Sequence, residues 1–310
     1  MKILGINISH HTSICFYENG KVKNFFNEER FIGLKNFDPT DVENFVSLRS
    51  IKEKVNFKPE IVCYTSFGRN NSYHKISDYK IIDSLQKQLN NPNYYFNIRE
   101  HHLYHAICGF YFSNFEEAAV IVVDAGGACK IEIPYQEIES IYFINKKNIK
   151  PFYKHYTCHN NFNRFLNHNF KLHEQTIFFD GHINKFSNYS IGGLTFNLGC
   201  EKLKYSGNDA GKLMGLSSYG YSKEKYKDLD YDKVTIAKEV QEKSFYDTSK
   251  LIDLIKDKTK NVILSGGCAL NCSNNFKYVK KYPELNFFVD PIPHDAGTAI
   301  GVALYYDNYR

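Results

Sequence analysis

The sequence predicts an α/β protein of two lobes, each a sheet flanked by helices. Three observations lead there. Short strand-like runs open the chain in the order strand, strand, strand, helix, and a strongly apolar strand at Ala118 to Val123 starts the series again. The 310 residues are 43% hydrophobic, enough for a substantial core, and no linker, low-complexity tract or short-period repeat interrupts them.

In the first lobe, set at residues 1–117, the runs Lys2 to Asn7 and Ser13 to Tyr17 flank polar Ser9-His10-His11-Thr12. The turn Glu18-Asn19-Gly20 follows, a hairpin pattern. A third strand is expected at Lys23 to Asn27, then the charged turn Glu28-Glu29-Arg30, then a helix over Asp41 to Glu53 with Thr40 as N-cap. A strand at Ile61 to Thr65 comes next. His101 to Phe112 reads as a helix with Leu103, Ile107 and Phe110 among its apolar positions, and it leads into Ala118 to Val123.

In the second lobe, residues 118–310, that strand ends at Asp124-Ala125-Gly126-Gly127, and a strand pair is expected around Glu132 to Phe143. The stretch from Asn145 to Ser190 is polar and aromatic and has no clear period; it suits an insertion, a substrate-contacting flap or an irregular connection. Helices are expected at Tyr189 to Leu198 and Val234 to Lys258. A strand at Val262 to Leu264 runs into Ser265-Gly266-Gly267, and a strand at Asn286 to Val289 precedes a small-residue helix from Ala296 to Tyr306, expected to pack back on the first lobe.

The formal charge of +5 is modest; it suits a phosphate-bearing ligand or a nucleic-acid surface, and solubility alone also accounts for it. Eight scattered cysteines without CxxC spacing give neither a zinc ribbon nor a disulfide framework, and Cys268 and Cys272 are expected as buried packing. Met1 leads straight into a strand, with no signal-peptide pattern and no run of membrane-spanning length. A cytoplasmic protein with no membrane partner is expected.

The sharpest local signal is His101-His102-Leu103-Tyr104-His105. His101 and His105, at i and i+4, project from one helix face, where two imidazoles can share a metal or form a solvated or hydrogen-bonded face. Asp124 ends the most apolar strand, where an open α/β sheet places its ligand crevice. Asp295 opens the last helix, as a second carboxylate ligand or as a plain N-cap. Three glycine-bearing turns can receive phosphate or ribose through backbone N–H groups: Asp124 to Gly127, Asp209-Ala210-Gly211-Lys212-Leu213-Met214-Gly215, and Ser265-Gly266-Gly267 followed by Asn271. Each alone is equally a tight turn, and none matches a P-loop or dinucleotide fingerprint. His11 and Glu28-Glu29-Arg30 with Lys35 lie where they either reach a cleft mouth or form solvated turns.

Taken in order, these blocks resemble the carbamoyltransferases of the nodulation-protein and antibiotic O-carbamoyltransferase type. The matching stretches are Ile3 to Ile6 with His11 and Ser13, Glu28 to Phe31 with Lys35, His101-His102-Leu103-x-His105-Ala106, Glu116 to Val120 with Val123-Asp124, Gly211 to Leu216 with Tyr219-Gly220, Gly266-Gly267-x-Ala269-Leu270-Asn271-Cys272, and Asp295 to Gly301. The resemblance implies an actin-like ATPase-superfamily (ASKHA) fold, two RNase-H-like lobes around a nucleotide cleft. It implies an iron-type divalent metal on His101, His105, Asp124 and Asp295, and nucleotide contacts at Asp209, Gly211, Lys212, Gly266, Gly267 and Asn271. It also implies catalytic roles for His11, as the acceptor's general base, and for Lys35.

The activity so implied is passage of a carbamoyl group from carbamoyl adenylate, made from carbamoyl phosphate and ATP, to a hydroxyl of a sugar, small metabolite or modified nucleoside or nucleic-acid base. Two departures from the pattern stand out. Thr12 occupies a position where the family usually has Asp, and the chain ends at Arg310, where typical members continue into a YrdC-like adenylate-forming domain. Three arrangements are compatible with that ending: a partner chain carrying the domain, an adenylate received ready-made, or a longer protein of which these residues are one domain. The alternatives are a non-catalytic nucleotide-binding or regulatory module and a tRNA threonylcarbamoyltransferase-like enzyme.

Overall fold

Asn19 and Gly20 both sit at positive φ, 49° and 79°, the pair of left-handed residues that a two-residue hairpin turn needs. They join strands β2 (Ser13–Glu18) and β3 (Lys21–Asn27), and β2 pairs antiparallel with β1 (Lys2–Asn7), Gly5 facing Cys15. The computed structural model describes residues 1–35, 37, 46–49, 57–66, 78–91, 93–97, 99–127, 135–158, 174–187, 193–206, 209–221 and 231–310. After the helical turn α1 (Glu29–Ile32), strand β4 (Ile61–Thr65) lies parallel to β1. Helix α2 (Asp78–Leu89) then leads to β5 (Tyr94–Phe96), parallel to β4. The sheet order is β3-β2-β1-β4-β5.

Helix α3 (His101–Ser113) leads to the second sheet, built from β6 (Glu117–Val123), β7 (Tyr135–Asn145), β8 (Ile149–Cys158), β9 (Gln175–Phe179), β10 (His182–Ser187), β11 (Asn261–Ser265) and β12 (Asn286–Val289). Its order is β12-β11-β6-β7-β8-β10-β9. With the β9-β10 hairpin set aside, β8-β7-β6-β11-β12 repeats the first sheet strand for strand. In each, two antiparallel pairings lie on one side of the central strand and two parallel pairings on the other. The fold is thus the expected pair of RNase-H-like units. The remaining helices are α4 (Gly193–Lys202), α5 (Ala210–Ser217), α6 (Tyr231–Asp253), α7 (Cys272–Lys281) and α8 (Thr298–Asn308).

The two sheets share one core. Ile3, Cys15 and Tyr17 of the first and Val120, Val122 and Ile263 of the second converge on Leu103, Tyr104, Ile107 and Cys108 of α3 and on Ala299, Ile300, Val302 and Ala303 of α8. Helix α3 is buried around nearly its whole circumference, which explains why its apolar and small residues show no polar stripe. It stops at Asn114, in the left-handed conformation at φ 58°. The C-terminal helix α8 packs on α3 and on β1, β2 and β4. Glycine makes that approach possible: a Cβ on Gly5 would lie 2.0 Å from the Ala299 carbonyl oxygen.

Several local expectations are corrected. Of the strand pair placed around Glu132 to Phe143, residues 132–134 lie outside the described residues, and the described residues 135–143 belong to one long strand, β7, whose partner β8 lies beyond a turn at Lys146 to Asn148. The Asn145 carboxamide closes that turn by accepting from the N–H groups of Lys147 and Asn148. The stretch read as irregular holds β8, β9 and β10, and residues 159–173 and 188–190 of it lie outside the described residues. Of the helix expected at 41–53, residues 46–49 are helical; its other residues and Thr40 lie outside the described residues. Cys272 is exposed rather than buried because it occupies the first turn of α7 on the solvent side. Among the described residues, no helix is long and apolar enough to cross a membrane.

Candidate metal centre

The first two turns of α3 point His101 and His105 at the end of β6, and both rings are sealed from solvent. The solvated-face alternative for this pair is therefore excluded. Their Nε2 atoms stand 3.1 Å apart. Asp124 ends β6, where its Oδ1 accepts the Ala125 N–H at 2.7 Å and its Oδ2 lies 3.5 Å from both Nε2 atoms. Asp295 Oδ1 lies 3.6 Å from His101 Nε2 and 3.7 Å from His105 Nε2. The N-cap alternative for Asp295 also fails, because the capping side chain is His294, whose Nδ1 accepts from the Ala296 N–H at 3.4 Å.

Two imidazole nitrogens and two carboxylate oxygens thus converge from α3, β6 and the turn before α8, all within 4.8 Å of one another. With metal–ligand bonds of about 2.0–2.2 Å, neighbouring ligand atoms of a tetrahedral or octahedral shell stand about 2.8–3.6 Å apart. The observed 3.1–3.7 Å separations fit that shell. Each carboxylate also has its second oxygen held, Asp124 by Ala125 and Asp295 by the Ser9 hydroxyl at 3.1 Å, so the oxygens facing the centre are oriented in advance. Ser265 ties α3 to β11, donating to the His105 carbonyl and to Asp290.

Without a cation the centre holds protons. Burial disfavours the His101 imidazolium, yet the facing carboxylates of Asp295 and Asp124 outweigh it and push its pKa up to about 10. His105 is raised by the same balance. Burial likewise opposes the charged forms of Asp124 and Asp295, and the histidines facing them hold both carboxyls well below the usual range.

The glycine turn after β11 touches this centre. Gly266, at φ 81°, passes so close to β6 that a Cβ would lie 2.5 Å from the Val123 carbonyl oxygen, and a Cβ on Gly267 would lie 3.0 Å from Asp124 Oδ1. Asn271 is spatially near in sequence terms but differently engaged: it is buried, caps α7 through Asn274 N–H and exchanges hydrogen bonds with the Gln241 carboxamide. Asp209 and Lys212 stand apart from that network, at the start of α5, paired at 2.7 Å. Lys212 first, and Lys35 from beyond α1 among the lesser causes, keep the Asp209 carboxyl below its usual range. Exposed Gly211 has open space where a Cβ would go.

His11 sits beside the centre, half-buried, its ring centroid 4.8 Å from that of His294. Three residues around it escape sequence reading: Ser9, His10 and His294. His10 Nδ1 lies 3.4 Å from Asp295 Oδ2. The unusual His10-His11 doublet was the available signal. His102 faces away from the ligand cluster, its Nδ1 3.0 Å from the Ser140 hydroxyl, and its ring fills the space that a side chain at Gly127 would need.

Residues 234–304 match the family model for the carbamoyltransferase N-terminus. No curated protein sequence matches the chain. In structure it is similar to full-length HypF in its phosphate- and nucleotide-bound form, at 14% identity and TM-score 0.58, over 98% of this chain and 55% of that one. The chain therefore spans about half the length of that protein. It is also similar to a ROK hexokinase from Thermus thermophilus, at 12% identity and TM-score 0.52 over 99% and 100% of the two chains. A third similar structure is the activator of 2-hydroxyisocaproyl-CoA dehydratase from Clostridium difficile with bound ADPNP, at 12% identity and TM-score 0.51 over 98% and 94%. Such identities speak to fold. The duplicated sheet has the actin-like ATPase fold, and residues 234–304 match the carbamoyltransferase N-terminus model.

Proposed function

We propose that the chain transfers a carbamoyl group from carbamoyl adenylate to an acceptor hydroxyl, at a divalent metal held by His101, His105, Asp124 and Asp295. The convergence of those four ligand atoms beside the Gly266-Gly267 turn is the observation that supports it most. The family match over 234–304 supplies the reaction class. Imidazole and carboxylate donors together suit iron or zinc better than magnesium. When bound, such a cation supplies Lewis acidity toward phosphate and carbonyl oxygens.

The chain's own residues do the rest. The backbone N–H groups at Gly266 and Gly267, with Asp209, Gly211, Lys212 and Asn271, serve the nucleotide, and Lys35 adds positive charge from the opposite lobe. His11 takes the proton of the acceptor hydroxyl as its oxygen attacks the carbamoyl carbon. A new C–O bond forms, the bond between the carbamoyl carbon and the bridging oxygen of the mixed anhydride breaks, and AMP leaves with that oxygen and the electron pair. Exclusion of water from so buried a centre protects the anhydride from hydrolysis.

The acceptor class under this reading is a sugar, small metabolite or modified nucleoside or nucleic-acid base, and the donor is prepared from carbamoyl phosphate and ATP by an adenylate-forming domain. The test is incubation with carbamoyl phosphate and ATP, with and without such a domain supplied separately, and mass spectrometry for a carbamoyl increment on candidate acceptors. Product that depends on His101 and Asp295 supports the reading; no product in either arrangement overturns it.

A further inference from the structure

We infer that a second divalent cation binds immediately outside the first, between His10, His11 and Oδ2 of Asp295, so that Asp295 bridges two metal positions. The inference rests on the proposed inner metal site and adds a neighbour to it: His11 serves as base in the singly loaded centre and as a ligand once the outer cation is bound.

The two oxygens of Asp295 face different donors. Oδ1 is turned to the inner imidazoles of His101 and His105, whereas Oδ2 is turned outward to His10 Nδ1 at 3.4 Å and the Ser9 hydroxyl at 3.1 Å. A carboxylate that presents one oxygen to each of two nitrogen-bearing clusters has the arrangement of a bridging ligand in a two-metal site. Ligand atoms from His10, His11 and Asp295 all lie within 4.8 Å of one another. A cation with bonds of about 2.0–2.2 Å tolerates separations of at most about 4.4 Å, so closure requires shifts of no more than a few tenths of an ångström. His10, with a side chain 42% exposed, has room for such a shift.

His294 borders this outer position without joining it. Its Nδ1 accepts a backbone N–H, so in the neutral ring Nε2 carries the proton and acts as a donor. Two imidazole nitrogens and one carboxylate oxygen then define the outer set, a composition that favours zinc, cobalt, iron or manganese over magnesium or calcium. Charge sharpens the ligand class as well. Asp124 and Asp295 together neutralise one dication, and the outer set adds only neutral nitrogens to the shared carboxylate. A doubly loaded centre therefore carries two uncompensated positive charges and recruits an anion, which a phosphate-bearing donor provides.

The competing account is that His10 merely hydrogen-bonds to Asp295 and steadies a single metal. Metal-free protein, reloaded with Co²⁺ and dialysed, separates the two by elemental analysis and calorimetric titration. Two equivalents per chain are expected for the parent protein, and one for His10→Ala, whose partly exposed side chain can be truncated without opening the core. His101→Ala removes the inner equivalent. One equivalent in the parent, unchanged by His10→Ala, overturns the outer site and leaves the inner one standing. No bound Co²⁺ at all overturns both. Should His10→Ala be poorly folded, the stoichiometry of the parent protein decides the matter by itself.

Discussion

Gly301 of α8 and Tyr104 of α3 meet backbone to backbone: a Cβ on Gly301 would stand 2.0 Å from the Tyr104 carbonyl oxygen. This crossing holds the turn carrying Asp295 against the helix carrying His101 and His105. Gly301→Ala therefore forces the helices apart. The expected cost is about 1–3 kcal/mol of stability, from overpacking in a dense core. Because Asp295 is displaced from its facing histidines, divalent-metal affinity falls as well. Urea unfolding and Co²⁺ titration check the two effects, and a variant with unchanged metal affinity would show that the crossing does not position the site.

The four-residue cluster makes stability depend on pH in opposite ways with and without metal. In the metal-free chain, His101 is raised from its ordinary 6.5 to about 10. Its contribution is fully present below pH 6.5 and is lost as pH rises through about 10. Asp124 and Asp295, depressed below 3.8, contribute above that value and lose their contribution as pH falls through their folded values. Metal binding demands unprotonated imidazoles, so a cation competes with those protons and gains as pH rises. The increase in Tm produced by excess Co²⁺ is expected to be larger near pH 8 than near pH 6. An equal or smaller increase near pH 8 would argue against coordination by these histidines.

Asn271 tests whether a residue in a nucleotide-type turn acts through contact or through packing. Its carboxamide joins Gln241 and Asn274 in a buried network that fastens α7 to α6. Asn271→Ala leaves the Gln241 amide short of partners, at an expected cost of about 1–3 kcal/mol. Lys212→Ala, at an exposed position, is expected to leave Tm within about 1 °C and to weaken ATP binding about tenfold through loss of one charge-assisted contact. Differential scanning fluorimetry and calorimetry on both variants distinguish these roles.

How far the sequence revealed this site follows from the kind of signal each residue carries. His101 and His105 stand at helical spacing and Asp124 ends a run of apolar strand residues, so spacing and position make them candidates, while their role as a ligand set comes from the family resemblance. The duplicated sheet was legible for the same reason, since β1 and β6 are buried on both faces and read as continuous apolar runs. Asp295 was harder, because an aspartate before a helix is usually a cap; only the fold shows His294 doing the capping. His10 has only its doublet with His11 as a local signal, its contact with Asp295 spanning most of the chain. The β8 to β10 region was opaque because its aromatic, lysine-rich strands lack a clean alternation. Strand β9, exposed along its length, has no buried face to impose one.

His11 is the residue whose proposed role depends most on chemistry and least on structure-wide packing. It is half-buried beside His294 and within 4.8 Å of an Asp295 oxygen, placing an imidazole at the rim of the centre where an acceptor hydroxyl would enter. An alcohol is a weak nucleophile at neutral pH, and removal of its proton during attack typically accelerates such a step by about 10²–10⁴-fold. His11→Asn keeps a similar volume and hydrogen-bonding capacity but cannot accept that proton as a base. The expected result is a fall in kcat of that order, with donor KM within about threefold. Single-turnover measurements with preformed carbamoyl adenylate isolate the transfer step from donor synthesis. A variant that retains full kcat would remove His11 from the proton transfer, whatever its part in binding a metal.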